Sequence, residues 1–193
     1  LNRDPVTGLA NRRTLLAALA ASMEGQDNSH ALLIIGRIAG FSEYNQRAGR
    51  TAGDNLLRSL ASHWRMQGRD GLAARLDGPQ FALLTSTPNV AAARELLQGL
   101  VAAGQRAAAE AGLNFNAGAG FAQDLAVPFL WLARVDGALR QAETETPGTG
   151  ILVEPIGLDS PDMAEDLASL LEHGHLSLDQ QPVASCADGG VLI

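Results

Sequence analysis

The stretch "ARLDGPQFALL", residues 74–84, decides how the chain is read. Two apolar runs, "LAARL" and "QFALL", flank Asp77 and Gly78, and Asp-Gly between strand-like segments predicts a β-hairpin. Upstream, "HALLIIGRI" (30–38) is a continuous apolar run of strand length, the pattern of a central strand buried on both sides. Downstream, "NFNAGAGFA" (114–122) alternates apolar with polar or small residues, as a half-buried strand does, and "GILVE" (150–154) reads as a short final strand.

Helical periodicity fills the intervals. "RRTLLAALAASME" places Leu15, Leu16, Leu19 and Met23 on one face before Gly25. Residues 41–67 read as a short helix, a break near Gly49 and a longer helix with Leu56, Leu57, Leu60, Ala61 and Trp64 on its inner face. A long Ala-rich helix is expected from about Pro88 to Ala111, turning Leu96, Leu97, Leu100 and Val101 inward. Another covers "PFLWLARVDGALRQAETE" (128–145), with Leu132, Val135, Leu139 and Ala142 as its stripe. This order of strands and helices predicts an α+β fold of the split βαβ kind: a ferredoxin-like or polymerase-palm, antiparallel-rich sheet of four or five strands with helices on one side. Composition shifts near residue 155, where "PIGLDSPDM" reads as a linker into a new unit. There the stretch "LSLDQQPVA" (176–184) reads as a strand without a neighbour in this chain.

The 193 residues are 46% hydrophobic, enough for a substantial core, and the chain opens at Leu1 rather than Met, which leads us to expect a segment of a longer protein. A formal net charge of −7 with scattered Lys and Arg gives no basic footprint, so nucleic acid is not an expected partner. A single cysteine, Cys186, excludes an intrachain disulfide framework and fits a reducing compartment, the cytoplasm; with no base beside it, the thiol is expected to be inert. No apolar stretch reaches the roughly 18–20 residues that span a bilayer, so any membrane anchor of the parent protein is expected elsewhere.

Three motifs in register now identify a resemblance. "DPVTGLANRR" (4–13) resembles the D-x-L-T-G-L-x-N-R-R opening of GGDEF domains, the diguanylate cyclase family. "IAGFSEYNQRAGRTAGDNLL" (38–57) is similar to the family's D-I-D-x-F-K-x-x-N-D-x-x-G-H-x-x-G-D-x-x-L, and "ARLDGPQFALL" to its R-x-G-G-D/E-E-F-A-L-L. The resemblance covers residues 1–155 and implies the GGDEF fold. It also implies a family chemistry in which two GTP molecules, one on each protomer of a dimer, become cyclic di-GMP. Phosphoryl transfer of this kind uses magnesium held by hard carboxylate oxygens.

Carried over position by position, the resemblance puts Arg37 at the first metal-binding acid, Pro79 at the second and Gln80 at the acid that helps activate the nucleophile. All three acids are replaced, so neither catalytic residue nor metal ligand nor cofactor is expected. A guanidinium about 4 Å from a divalent ion would be repelled by roughly 8 kcal/mol before relaxation at an effective dielectric near 20. The family's phosphate-binding A-K-x-x-G-R aligns with "AETETP", which puts Glu143 and Pro147 at its cationic positions, and its inhibitory R-x-x-D falls on "GRDG" with Gly68 and Gly71 at the key places. Asn45 and Asp54 do match the residues that hydrogen-bond guanine, an amide and a carboxylate suited to its N3, N2 and N1 edge. Asp54 has a second reading as a helix cap or dipole partner. Asp4 falls in the opening motif, where the role is loop structure.

Other features have plainer readings. "HGH" (173–175) lacks a third ligand and reads as a solvated helix end; "NAGAG" (116–120) lacks the third glycine of a dinucleotide loop and reads as close packing; Trp64 and Trp131 read as core or interface anchors. After that linker, "LASLLEHGHLSLDQQPVASCADGGVLI" (167–193) resembles the start of an EAL domain, with Gln181, Pro182 and Val183 standing for Q-P-I, so residues 156–193 read as the linker and this start. A GGDEF domain without its acids beside an EAL domain resembles composite receptors of the LapD type, and "YNQRAG" (44–49) is similar to that group. The resemblance implies an adjacent EAL domain as partner, and leaves open a homodimer and a weakly bound guanine nucleotide. Three functions stand at this point: an inactive regulatory module of a cyclic di-GMP receptor, a GTP-sensing domain controlling an EAL phosphodiesterase, and, least favoured, a working cyclase.

Overall fold

The computed structural model describes residues 2–23, 30–67, 71–122, 128–154, 183–184 and 191–192. The chain divides into two compact units, Leu1–Pro155 and Ile156–Ile193. In the second, β7 (Val183–Ala184) pairs antiparallel with β8 (Val191–Leu192), so the last two residues of the strand expected to lack a neighbour find one in this chain. His173, His175, Gln181, Pro182 and Cys186 lie outside the described residues.

The first unit is built on a mixed six-stranded sheet in the order β1-β3-β4-β2-β5-β6. Its strands are β1 (Ala10–Asn11), β2 (Ala31–Ala39), β3 (Leu72–Asp77), β4 (Gln80–Ser86), β5 (Asn114–Phe121) and β6 (Gly150–Val153). Its helices are α1 (Arg12–Met23), α2 (Phe41–Ala48), α3 (Arg50–Gln67), α4 (Val90–Ala109) and α5 (Pro128–Glu145). The predicted α+β class holds, with one strand more than expected. The addition is β1, two residues running parallel to β3 from within a stretch that composition marks as turn.

Two expectations need correction. Helices cover both faces of the sheet, not one. Leu32, Ile34 and Ile38 of β2 pack with Leu57, Leu60 and Trp64 of α3 and Leu97 and Leu100 of α4, whereas Leu33 and Ile35 pack with Leu15 and Leu19 of α1 and Trp131, Val135 and Leu139 of α5. This explains why β2 is apolar along its length. Strand β5 is likewise buried on both faces rather than half-buried, from Phe115 onward. Its small residues disguise that burial: a Cβ on Gly118 would lie 2.4 Å from the Val135 carbonyl and 2.5 Å from the Leu139 amide, so glycine lets the α5 backbone rest on the strand. The "NAGAG" stretch is therefore a helix-packing surface.

The hairpin forms where expected, one residue later than the Asp-Gly pair suggests. Asp77 pairs with Gln80, leaving Gly78 and Pro79 as the loop, and a bulge between Arg75 and Asp77 takes up the offset. Gly78 has φ +47°, open to a residue without a Cβ, and Pro79 follows with its ring-fixed negative φ. The tip is fastened from two sides: Pro79 O accepts from the Ile38 amide at 3.4 Å, and Gly78 O accepts from Arg75 Nε at 2.8 Å. Both tryptophans are fully buried core residues. No helix among the described residues is long and apolar enough to cross a membrane.

Candidate functional site

Where the hairpin tip meets the C-terminal end of β2, the α2–α3 pair overhangs an open cleft of about 690 Å³. Its lining includes Arg37, Asn45, Arg50, Asp54, Arg75 and Pro79. Four of the five residues singled out from sequence thus share one cavity. The fifth, Gln80, lies opposite Arg37 in the β2–β4 register and borders a separate groove between α1 and α5.

At the hairpin end, Arg37 leaves β2 on the α5 side. Its Nη1 donates to both oxygens of Glu143, at 3.1 and 3.3 Å, and its Nη2 to Asp136 Oδ1 at 3.3 Å. Asp136 also accepts from Gln80 Nε2 at 3.4 Å, and its other oxygen pairs with Arg140 at 3.0 Å. Asp136 and Glu143 are seven positions apart, two turns of α5, which puts both carboxylates on the face turned to Arg37. The sequence reading missed Asp136. Its signal was the i, i+7 relation to Glu143 on a helix that returns over β2.

The opening loop braces this end. Asp4 Oδ1 accepts from the Thr7 amide at 2.8 Å and the Thr7 hydroxyl at 2.6 Å, and both Asp4 oxygens accept from Arg75 Nη1 at 3.1 Å. Burial alone would raise the Asp4 pKa, but the Thr7 hydroxyl and amide and the Arg75 guanidinium outweigh it and hold the carboxyl below its ordinary value. The predicted structural role of Asp4 is what the geometry displays.

At the helical end, Asn45 sits on α2 and Asp54 on α3. Asp54 falls in the second turn of α3, too far in to cap it, which removes the capping alternative. Its ion pair with Arg58 is long, 4.0 Å, and exposed. The side-chain oxygen of Asn45 is buried, with no hydrogen-bond partner among the described residues. Of the position Gly68–Gly71, only Gly71 is described; a Cβ there would meet the Leu84 carbonyl at 2.3 Å, so its small size serves packing.

The family profile described as "Diguanylate cyclase, GGDEF domain" matches residues 1–147. The diguanylate cyclase DgcP of Pseudomonas aeruginosa is 34% identical over 103 residues, 52% of this chain and 15% of that protein. Among solved structures, the GGDEF domain of YfiN (TpbB) from Pseudomonas aeruginosa is 25% identical with a TM-score of 0.68, over 84% of this chain and 99% of that one. The S helix-GGDEF-EAL structure of Vibrio cholerae LapD, bound to c-di-GMP, shares the fold at 16% identity and a TM-score of 0.69, over 98% of this chain and 47% of that one. The chain spans 10 to 37% of the length of the curated relatives it matches. With a profile match over residues 1–147 and a fold shared with a solved GGDEF domain, the chain belongs to the GGDEF domain family.

Proposed function

We propose that this GGDEF domain is a catalytically inactive regulatory module of a bacterial cyclic di-GMP signalling protein. The observation that carries the reading is the commitment of Arg37. A cation at the first of the family's metal-binding positions is neutralised by Glu143, an acid at the family's phosphate-binding lysine position, so the two substitutions answer each other at 3.1 Å.

Magnesium, which the family's chemistry requires, does not fit the donors present. Pro79 offers no side-chain ligand, and its carbonyl already accepts from Ile38. The carboxylates in contact with Arg37 are tied up: Glu143 by Arg37, and Asp136 by Arg37 and Arg140. Hard divalent ions need free oxygen ligands, and a guanidinium in their midst opposes them. Incubation of the protein with GTP and magnesium or manganese, followed by chromatography, tests the proposal. No cyclic di-GMP above a no-enzyme control is expected; product formed in proportion to protein overturns the reading and restores the cyclase.

The parent protein, in this proposal, carries an EAL domain after the linker that follows residue 155 and is anchored in the bacterial inner membrane by segments outside this chain, the domain itself being cytoplasmic. Support for the first part comes from the alignment with LapD, which runs over 98% of this chain. The adjacent EAL domain and a second copy of the chain are the proposed partners. A second reading, a GTP-sensing domain that controls an active EAL phosphodiesterase, is favoured by one observation: Asn45 and Asp54 line one cleft without strong partners inside the protein. Guanine nucleotide bound there would be held weakly, through its base, and would need no metal.

A further inference from the structure

Two local costs lie side by side on the α2–α3 pair. Gly53 occupies the interior of α3, where glycine is less favourable than alanine by about 1 kcal/mol, although its helical backbone makes no demand that alanine could not meet. Facing it, the Asn45 side-chain oxygen is buried without a hydrogen-bond donor among the described residues, a loss that polar atoms rarely bear. The two are one feature. A Cβ on residue 53 would stand 1.8 Å from Asn45 Oδ1 and 2.9 Å from its Cγ, so only glycine leaves room for the amide as it lies. The glycine Hα occupies the direction of the missing Cβ and presents a weakly polar C–H to the oxygen.

Because the amide is planar, an oxygen tucked against Gly53 sends the NH2 limb the other way, and Asn45 is a cleft-lining residue. The helical end then offers a donor from Asn45 beside an acceptor from Asp54. Guanine matches that pair with the N3 acceptor and the N1–H and N2–H donors of one edge. Adenine carries the same N3 acceptor but has no N–H at either of those donor positions, so the Asp54 carboxylate, and not Asn45, tells the two bases apart.

We propose that Gly53 is a positioning residue: by lacking a Cβ it fixes the Asn45 amide with its NH2 toward the cleft, as the donor to the N3 of a bound purine. The inference rests on the reading of this cleft as a base-binding site and adds the residue that holds its N3 donor in place.

The test uses the whole chain, guanosine and adenosine as probes, and EDTA throughout. Calorimetry on the wild type is expected to give guanosine a preference of roughly tenfold or more, the scale of one lost hydrogen bond to a charged or buried group. Gly53→Ala should weaken guanosine and adenosine alike, about as much as Asn45→Ala does, and Gly53→Ala with Asn45→Ala should bind no worse than Asn45→Ala alone. Melting temperature provides a ligand-independent readout. The Gly53→Ala change should be distinctly less favourable with Asn45 present than in the Asn45→Ala background, where helix propensity acts without the clash. Unchanged guanosine affinity in Gly53→Ala, or equal shifts in the two backgrounds, overturns the role of Gly53. A wild type that binds neither nucleoside overturns the base-binding reading, and the thermal comparison still decides whether Gly53 holds Asn45.

Discussion

Arg37 and Asn45 line the same cleft, yet their polar atoms are committed differently. At the hairpin end the guanidinium of Arg37 is enclosed by Asp136 and Glu143, Gln80 adds an amide to the same carboxylate, and Arg75 is held by Asp4. At the helical end the Asn45 oxygen accepts nothing among the described residues and Asp54 has only a long, exposed ion pair. One end satisfies its charges within the fold; the other presents polar groups to the cavity. Charges closed on one another add rigidity and resist a ligand, because the ligand must first displace a partner. Polar groups that face an open cavity give up only water when a ligand arrives, so the Asn45 NH2 and the Asp54 carboxylate stay available to one.

The sharpest way to break this comparison is to put a like charge into the closed end. Glu143→Lys should destabilise the domain by about 2 kcal/mol, below the roughly 4 kcal/mol for unscreened like charges at 4 Å because these side chains are partly solvated. In an Arg37→Met background the same change should cost less than about 0.5 kcal/mol, as a double-mutant cycle by urea unfolding would reveal. Equal costs in both backgrounds would show that the ion pair holds nothing.

Asp4 supplies the next effect, with a defined pH dependence. Its folded-state carboxyl titrates below its unfolded value, so the contribution is complete above about pH 4 and vanishes as pH falls through the lower folded value. Asp4→Asn should cost about 1–2 kcal/mol at neutral pH and leave a shallower acid limb in a plot of stability against pH. A parallel acid limb in the variant would remove Asp4 from the account.

At the open end the signs reverse. Asn45→Ala should weaken guanosine binding about tenfold while leaving the melting temperature nearly unchanged, whereas Gln80→Ala should do neither. Tight, magnesium-dependent GTP binding that survives Asn45→Ala would show that the cleft works through its hairpin end after all. The smallest effect is expected from ending the chain at Pro155: the melting temperature should move by no more than the ~2–4 °C that 1 kcal/mol produces in a domain of this size. A much larger loss would make the second unit part of the first.

Much of this was legible in the sequence. Periodicity located the helices because their inner faces are continuous stripes of Leu, Val and Trp, and "LDGP" located the turn because few residues tolerate positive φ. The two-sided burial of β5 was hidden for the opposite reason: Gly118 and Ala117 are small to admit a helix, and smallness alternating with Asn resembles solvent exposure. Asn116 in fact is buried, its side-chain oxygen accepting the Gly148 amide at 2.7 Å. At the cleft, motif position assigned Arg37, Pro79, Asn45 and Asp54 to one place, but not which partner Arg37 would take. Asp136 depends on the pitch and placement of α5 over the sheet, a tertiary fact that spacing alone does not contain.

Burial of Trp64 and Trp131 on opposite faces of one sheet has an optical consequence. They are the only two tryptophans of the chain, and their indoles meet different surroundings: Trp131 Nε1 donates to the Gly120 carbonyl at 2.8 Å, while Trp64 lies 5.8 Å from the Phe81 ring and 6.3 Å from Phe115 with its N–H unpartnered among the described residues. Each layer therefore contains its own fluorophore. Replacing one tryptophan at a time with phenylalanine turns intrinsic emission into a layer-specific signal, able to tell whether the α3–α4 side and the α1–α5 side come apart together or in turn.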